Sequence, residues 1–262
     1  MPGLVGLHGG GEYVRDEPAM DALVAAGVEA AGARGGDPGD AVRVVLVPTA
    51  AARNRPPAAV EFGRRAFADA GRRAGVLLDI RPAFVVDEGS AADRAMATLL
   101  EAADVIHLPG GDPDLIPTLL RGSRAWDAML AAYGRGACLA GASAGAMALA
   151  ARCWTPAGLV DGLALVAGIA VLPHYAPGRV ARWRATRGAH GAPGPGAAPD
   201  DAPDNALNWL GLDERTMLIG RPGGEWHVAG GGRAHLIPPG ADLPSTSAGP
   251  GDRLTLPEPM PG

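Results

Sequence analysis

Ala140-Gly141-Ala142-Ser143-Ala144-Gly145-Ala146-Met147 carries the strongest indication of fold and chemistry in this chain. It follows the apolar run 137–139, typical of a buried strand, and precedes 148–151, typical of a helix. A serine between two glycines on a sharp strand-to-helix turn is the pattern of a nucleophile elbow, whose hydroxyl projects beside helix N–H groups. Gly141 and Gly145 would allow the close backbone approach that this strained turn requires. A tight Gly/Ala turn with a serine N-cap fits the same residues, so the rest of the chain must decide.

Short apolar runs alternate with helical stretches on the N-terminal side of the elbow. Strands are predicted at 4–8, 42–48 and 105–109, with a third strand of the series bracketed by 75–80 and 83–86. Helices are predicted at 19–31, 57–74, 91–103, 115–120 and 125–133. This alternation predicts an α/β fold, a mostly parallel sheet with helices on both faces. Ligands in such sheets bind beyond the carboxyl ends of the strands. The glycine-rich turns after His8, after Pro109 and at Ser143 should therefore meet at one rim.

The C-terminal part of the chain does not continue the regular alternation of strands and helices. Residues 225–229 and 233–237, separated by glycines, are predicted to form a hairpin. Residues 188–204 are rich in Gly, Pro, Ala and Asp without a period and predict a flexible insertion loop. The Pro/Gly-rich tail 238–262 is predicted to be disordered. Residues 1–237 should then form a single α/β hydrolytic domain.

The overall composition excludes several classes of protein. The net charge is −5, and all 23 basic residues are arginine, which argues against a nucleic-acid-binding surface. No window approaches about 18 consecutive apolar residues, so no membrane span is expected, and Met1-Pro2-Gly3-Leu4 lacks the shape of a signal peptide. Cys138 and Cys153 are too few for a disulfide framework. We therefore expect a cytoplasmic protein without nucleic-acid or membrane partners, and leave a homodimer open.

A serine nucleophile needs a base, and six histidines are available. His174 is the best candidate because it ends an apolar strand and is followed by a turn. His8 ends the first strand and is separated from the elbow by most of the predicted sheet. His107 lies within a predicted strand, and His190 lies in the insertion loop. His227 and His235 lie in the predicted hairpin. No His, Cys and carboxylate cluster has the spacing of metal ligands, so neither a metal nor another cofactor is expected.

Five motifs in one order carry a resemblance to a known family. They are Gly9-Gly10-Gly11-Glu12, Leu108-Pro109-Gly110-Gly111-Asp112, Gly141-Ala142-Ser143-Ala144-Gly145-Ala146, Pro173-His174-Tyr175 and Gly211-Leu212-Asp213-Glu214-Arg215-Thr216. Together they resemble the serine peptidase family of cyanophycinase and aspartyl dipeptidase (dipeptidase E). The resemblance extends to about residue 237. It implies a flavodoxin-like, class I glutamine amidotransferase-like fold, and a Ser–His–acid hydrolase acting on small peptides or aspartyl-linked amide bonds.

The resemblance also implies roles for individual residues. Ser143 would be the nucleophile and His174 the base, and the N–H groups of Gly111 and Ala144 would form the oxyanion hole. Glu214 fits the family's acid, while Asp161, between the elbow and His174, is the alternative.

Residues that contact the substrate form a further set of candidates. Asp112 and Arg179 are the candidates. Family members carry arginines shortly after the His-aromatic pair, but the spacing of Arg179, Arg182, Arg184 and Arg187 does not match well. These arginines could hold a substrate carboxylate or form a solvated helix face.

Three other functions compete with peptide hydrolysis. Glutamine amidotransfer needs a cysteine where Ser143 stands, and Cys138 lies upstream inside a predicted strand. An esterase of the α/β-hydrolase type is suggested by His8-Gly9-Gly10-Gly11, although this motif is far from the elbow in sequence. The third alternative is a non-catalytic member of the fold that binds a small ligand. The pairing of Ser143 with His174 favours the peptidase.

Overall fold

The computed structural model describes residues 1–37, 39–156, 158–179 and 207–257. The predicted loop 188–204, His190 and the arginines Arg182, Arg184 and Arg187 lie outside these ranges. The described residues form fourteen strands: β1 (Val5–His8), β2 (Val42–Leu46), β3 (Leu78–Pro82), β4 (Val105–Leu108), β5 (Cys138–Ala142), β6 (Ala150–Thr155), β7 (Gly158–Asp161), β8 (Val166–Leu172), β9 (Asn208–Leu212), β10 (Thr216–Gly220), β11 (Glu225–Gly230), β12 (Ala234–Ile237), β13 (Thr246–Ala248) and β14 (Arg253–Thr255).

The same ranges contain seven α-helices: α1 (Glu17–Ala33), α2 (Pro56–Ala74), α3 (Glu88–Ala92), α4 (Arg94–Glu101), α5 (Leu115–Leu120), α6 (Arg124–Gly134) and α7 (Ala144–Leu149). The single helix predicted over 91–103 is wrong, because Asp93 adopts extended backbone (φ −68°, ψ 131°). Its carboxylate accepts the N–H groups of Ala95 and Met96, and thereby caps α4 as a separate helix. None of the described helices is long and apolar enough to cross a bilayer.

The first sheet has the strand order β14-β11-β10-β1-β5-β4-β2-β3. Its five strands β1 to β5 pair in parallel, and β10, β11 and β14 extend one edge antiparallel. Helices α1 and α2 pack their apolar residues on one face, and α3 to α7 contribute to the core on the other. This is the α/β arrangement predicted from the alternating pattern, and it matches the flavodoxin-like fold that the family resemblance implies.

The carboxyl ends of three parallel strands meet beside the elbow. His8 at the end of β1 lies opposite Ala142 of β5, and Leu108 at the end of β4 lies opposite Gly141. The prediction that the three glycine-rich turns share one rim is confirmed. The expected separation of His8 from the elbow is wrong, because β1 and β5 are neighbours in space despite the chain between them.

After the elbow the chain builds a second sheet, of order β13-β12-β9-β8-β6-β7. The hairpin predicted for 225–237 does not form: β11 pairs with β10 and β14 in the first sheet, whereas β12 pairs with β9 and β13 in the second. Gly230 permits this change of sheet. Its φ is +111°, and a Cβ there would come within 2.1 Å of the carbonyl oxygen of Arg215.

The tail is ordered over part of its predicted disordered range. β13 pairs with β12, and β14 pairs with β11. Ala248 and Leu254 are 4% and 5% exposed, so both side chains join the core. Burial of these two side chains and the pairing of both strands favour an ordered chain, and the predicted disorder does not hold for residues 246–255.

Candidate active site

Ser143 stands on a strained turn between β5 and α7. Its φ is +49° and its ψ is −109°, a conformation that residues other than glycine rarely adopt. The turn is held by the Ser143 N–H, which donates to the His8 carbonyl at 2.9 Å. A Cβ at Gly141 would lie 2.3 Å from the Gly145 carbonyl carbon, and one at Gly145 would lie 2.1 Å from the Leu108 carbonyl oxygen. Both elbow glycines are therefore required by close backbone approach.

The turn after β8 directs the ring of His174 toward the elbow. Nε2 of His174 lies 3.0 Å from Ser143 Oγ. The His174 N–H donates to the Gly9 carbonyl at 2.7 Å. The ring packs directly on Gly10, where a Cβ would lie 2.2 Å from Cε1 of His174. Gly10 had no predicted role, although it stands in one of the quoted motifs.

Glu214, in the turn between β9 and β10, meets the other side of the ring. Its Oε1 lies 2.9 Å from His174 Nδ1. Nδ1 therefore donates to the carboxylate, and Nε2 is left to accept the serine hydroxyl. The alternative acid, Asp161, lies on β7 and pairs with Arg152 at 2.8 Å. Of the two candidate acids, only Glu214 contacts His174.

One short segment, residues 8–10, connects all three side chains through its backbone. The carbonyl groups of His8, Gly9 and Gly10 accept the N–H groups of Ser143, His174 and Arg215 at 2.9, 2.7 and 2.7 Å, in that order. Arg215 directly follows Glu214. The segment therefore fixes the relative positions of the serine, the histidine and the acid.

A buried pair of side chains supports this segment. Nδ1 of His8 accepts the Gly10 N–H at 3.0 Å, and Nε2 of His8 bonds to the Asp16 carboxylate. Both side chains are nearly inaccessible. The acceptor role of Nδ1 assigns the proton to Nε2, which donates to Asp16. Asp16 had no predicted role; the available signal was a carboxylate eight residues beyond a strand-ending histidine.

The turn after β4 provides the N–H group predicted for oxyanion binding. Gly111 has φ +152°, and a Cβ there would lie 2.2 Å from the Ala50 carbonyl oxygen. That same oxygen accepts the Asp112 N–H at 2.8 Å, which fixes the turn. Ala144 begins α7, so its N–H has no acceptor within the helix. Ala144 directly follows the serine, and Gly111 directly follows Gly110, which packs on the serine. The role of both N–H groups in binding an oxyanion stays a prediction.

Glu12 is a second residue without a predicted role. Its Oε1 accepts the Gly110 N–H at 2.9 Å. A Cβ on Gly110 would lie 3.2 Å from Ser143 Cβ, so this turn packs directly on the nucleophile. The Glu12 carboxylate therefore lies at the edge of the site.

The two predicted substrate contacts occupy different positions. The Asp112 side chain is 46% exposed and lies 3.7 Å from the Arg53 guanidinium. Nη1 of Arg179 donates to the His174 carbonyl. A cavity of about 490 Å³ is lined by Glu214 together with Tyr175, Arg215 and Arg15 among others.

In the part of the chain that the structure describes, the remaining candidate nucleophiles and ligands do not form a second centre. Burial raises the pKa of Cys138 and of Cys153 to about 12. Burial and the nearby His8 lower the pKa of His107 to about 3, so that this ring is neutral. His235 contacts Asp213 at 3.2 Å and packs on Tyr175. Within the described ranges, no group of three or more His, Cys, Asp and Glu side chains could hold a metal ion.

Comparison with known proteins identifies similar sequences and folds. The sequence model of peptidase family S51 matches residues 38–191. The crystal structure of a peptidase from an acI-B1 actinobacterium superposes with a TM-score of 0.72 at 24% identity, covering 98% of both chains. A putative peptidase E from Listeria monocytogenes EGD-e gives a TM-score of 0.51 at 16% identity, over 87% of this chain and 98% of the other. No curated protein matches the chain.

Proposed function

The chain belongs to peptidase family S51, and we propose that it is a serine peptidase that hydrolyses small peptides through Ser143, His174 and Glu214. One observation carries the proposal. The hydrogen bonds from Ser143 Oγ to His174 Nε2 (3.0 Å) and from His174 Nδ1 to Glu214 Oε1 (2.9 Å) form a continuous chain. Such a chain lets a neutral imidazole accept the serine proton while the carboxylate stabilises the resulting imidazolium.

The reaction proceeds in two steps. Ser143 Oγ attacks the peptide carbonyl carbon, and its proton passes to His174 Nε2. The negative oxygen binds the Gly111 and Ala144 N–H groups, each worth about 3 kcal/mol in comparable sites. His174 then protonates the leaving nitrogen, the C–N bond breaks, and water hydrolyses the acyl-enzyme by the reverse proton transfers.

The substrate class is proposed at the level of small peptides, with aspartyl-linked amide bonds as the narrower alternative. The family membership supports a peptidase, and the narrower class rests on the motif resemblance alone. Arg179 and Asp112 are the proposed contacts. One nitrogen of Arg179 is engaged by the His174 carbonyl, and the rest of the guanidinium retains donors for a substrate carboxylate.

The competing functions have weaker support. Amidotransfer would need a thiolate, but burial raises the pKa of Cys138 to about 12. Cys138 also begins β5, whereas Ser143 occupies the elbow at the end of that strand. An esterase of the α/β-hydrolase type would bind its oxyanion at the glycine turn after His8. The N–H groups of Gly9 and Gly10 already donate to the Thr216 carbonyl and to His8 Nδ1.

The test is covalent labelling with a fluorophosphonate, read by peptide mass spectrometry. We expect label on Ser143 in the wild type and none in Ser143→Ala, with strong loss in His174→Ala and Glu214→Gln. Asp161→Asn is the matched control, because Asp161 was the rival acid and lies away from His174. Absence of label from the folded wild type would refute the mechanism and favour a non-catalytic ligand-binding protein.

A further inference from the structure

The carboxylate of Glu12 lies beside the nucleophile at the turn that follows β1. Oε1 accepts the Gly110 N–H at 2.9 Å. A Cβ placed on Gly110 would lie 3.1 Å from this oxygen and 3.2 Å from Ser143 Cβ. The carboxylate and the serine therefore border the same small space. Glu12 is partly exposed, so a bound molecule can reach it.

Glu12 has no cationic partner within the described part of the chain. The ion pairs found there involve other carboxylates. Its neighbour Tyr13 directs its hydroxyl to His107 Nδ1 at 2.9 Å. Burial raises the pKa of Tyr13 well above its usual value, and the negative charge of Glu12 adds to the rise.

An unpaired negative charge in this position opposes the proposed reaction. The attack of Ser143 creates an oxyanion at the Gly111 N–H, one residue from the N–H that Glu12 binds. Like charges this close raise the energy of the second one to form. A cation supplied by the substrate would neutralise Glu12 and gain a charge-assisted hydrogen bond.

We propose that Glu12 binds a cationic nitrogen group on the acyl side of the scissile bond. This inference rests on the proposed function and concerns the substrate of the same site. The leaving nitrogen must face His174 Nε2 to receive its proton, whereas Glu12 borders the Gly110–Gly111 turn on the oxyanion side. The cation is the α-ammonium of an N-terminal residue or a basic side chain.

Three diphenyl phosphonates of matched structure test the proposal without a leaving peptide. The first carries a free α-amine and a neutral side chain, the second an N-acetyl group and the same side chain, and the third an N-acetyl group and a basic side chain. Ser143 Oγ forms a bond to phosphorus, one phenoxide leaves, and His174 returns the serine proton to release phenol. The measured quantity is the rate of Ser143 labelling.

Glu12→Gln separates charge from position, because the amide oxygen still accepts the Gly110 N–H. The wild type is expected to prefer one of the cationic probes. We expect Glu12→Gln to lower the rate of labelling by that probe about tenfold or more. The ratio of the cationic-probe rate to the neutral-probe rate, and not either rate alone, measures the preference and should fall in this variant. Glu88→Gln is the control, since Glu88 is an exposed residue at the start of α3. Thermal unfolding of both variants verifies folding, and Glu12→Asp, which keeps the charge, should retain part of the preference.

The outcomes are distinct. If the wild type prefers the free-amine probe and Glu12→Gln abolishes this preference, the cation is the α-ammonium. If the same holds for the probe with the basic side chain, the cation is that side chain. Ser143 labelling with no cation preference, or with a preference that Glu12→Gln leaves intact, overturns the inference and leaves the proposed function standing. Failure of every probe, including a simple fluorophosphonate, to label Ser143 overturns the proposed function itself.

Discussion

Alanine at position 10 would disturb the proposed mechanism without changing any of its reacting groups. A Cβ there would lie 2.2 Å from His174 Cε1 and 2.6 Å from Nε2. Carbon atoms in contact prefer about 3.5–4.0 Å, so the ring must move by more than about 1 Å. The Ser143–His174 hydrogen bond of 3.0 Å would be lost by such a movement. A misplacement of about 1 Å costs roughly 100-fold in rate.

The backbone conformation of Gly10 is itself unfavourable for alanine, and the assay must control for this second effect of the substitution. Its φ of +104° strains any other residue, by about 1–3 kcal/mol. Gly39 has a nearly equal φ of +101°, and a Cβ added there would meet nothing within 4 Å, so Gly39→Ala carries the backbone cost alone. We expect Gly10→Ala to label with fluorophosphonate about 100-fold more slowly than Gly39→Ala, in protein shown to be folded by circular dichroism. Equal rates in the two variants would refute the argument that ring packing on Gly10 positions His174.

Further predictions concern the acid, the thiols and the tail. Glu214→Gln should lower the labelling rate by about 10⁴-fold, as expected where a base loses its orienting carboxylate, and a rate near that of Asp161→Asn would remove Glu214 from the mechanism. Because burial raises the pKa of Cys138 and Cys153 to about 12, both stay thiols at pH 8 and should resist iodoacetamide until denaturant is added; mass spectrometry of native protein showing alkylation would contradict this. Leu254→Ala should lower the free energy of unfolding by about 2–5 kcal/mol, measured by urea denaturation. An unchanged free energy of unfolding would mean that this part of the tail does not pack on the core.

Some parts of the molecule could be predicted because the signal is local. Four strands could be predicted from continuous apolar runs, because strands of a parallel sheet are buried on both faces: β1, β2, β4 and β5. The helix predicted at 19–31 was likewise indicated by its own residues. The glycines around Ser143 indicate a turn that few other residues can form. The break at Asp93 was missed because a single capping carboxylate outweighed the helical pattern on either side of it.

Other expectations remain predictions. The extent of a single domain over 1–237, the homodimer and the cytoplasmic location depend on properties that neither the fold nor the family membership tests. The roles of Ser143, His174, Glu214, Gly111, Ala144, Asp112 and Arg179 are likewise proposals that the labelling and substrate experiments address.

The parallel α/β sheet, the elbow and the candidacy of Ser143 and His174 could be predicted because each depends on a short pattern of neighbouring residues. The contact between an acid and His174 depends on the tertiary fold, which places Glu214, in the turn between β9 and β10, beside the histidine and pairs Asp161 of β7 with Arg152. The tertiary fold also decided that β11 and β12 part into different sheets, and that segment 8–10 joins the three catalytic candidates. These contacts are between residues far apart in the chain, and hydrogen bonds of that kind leave no periodic trace in the sequence.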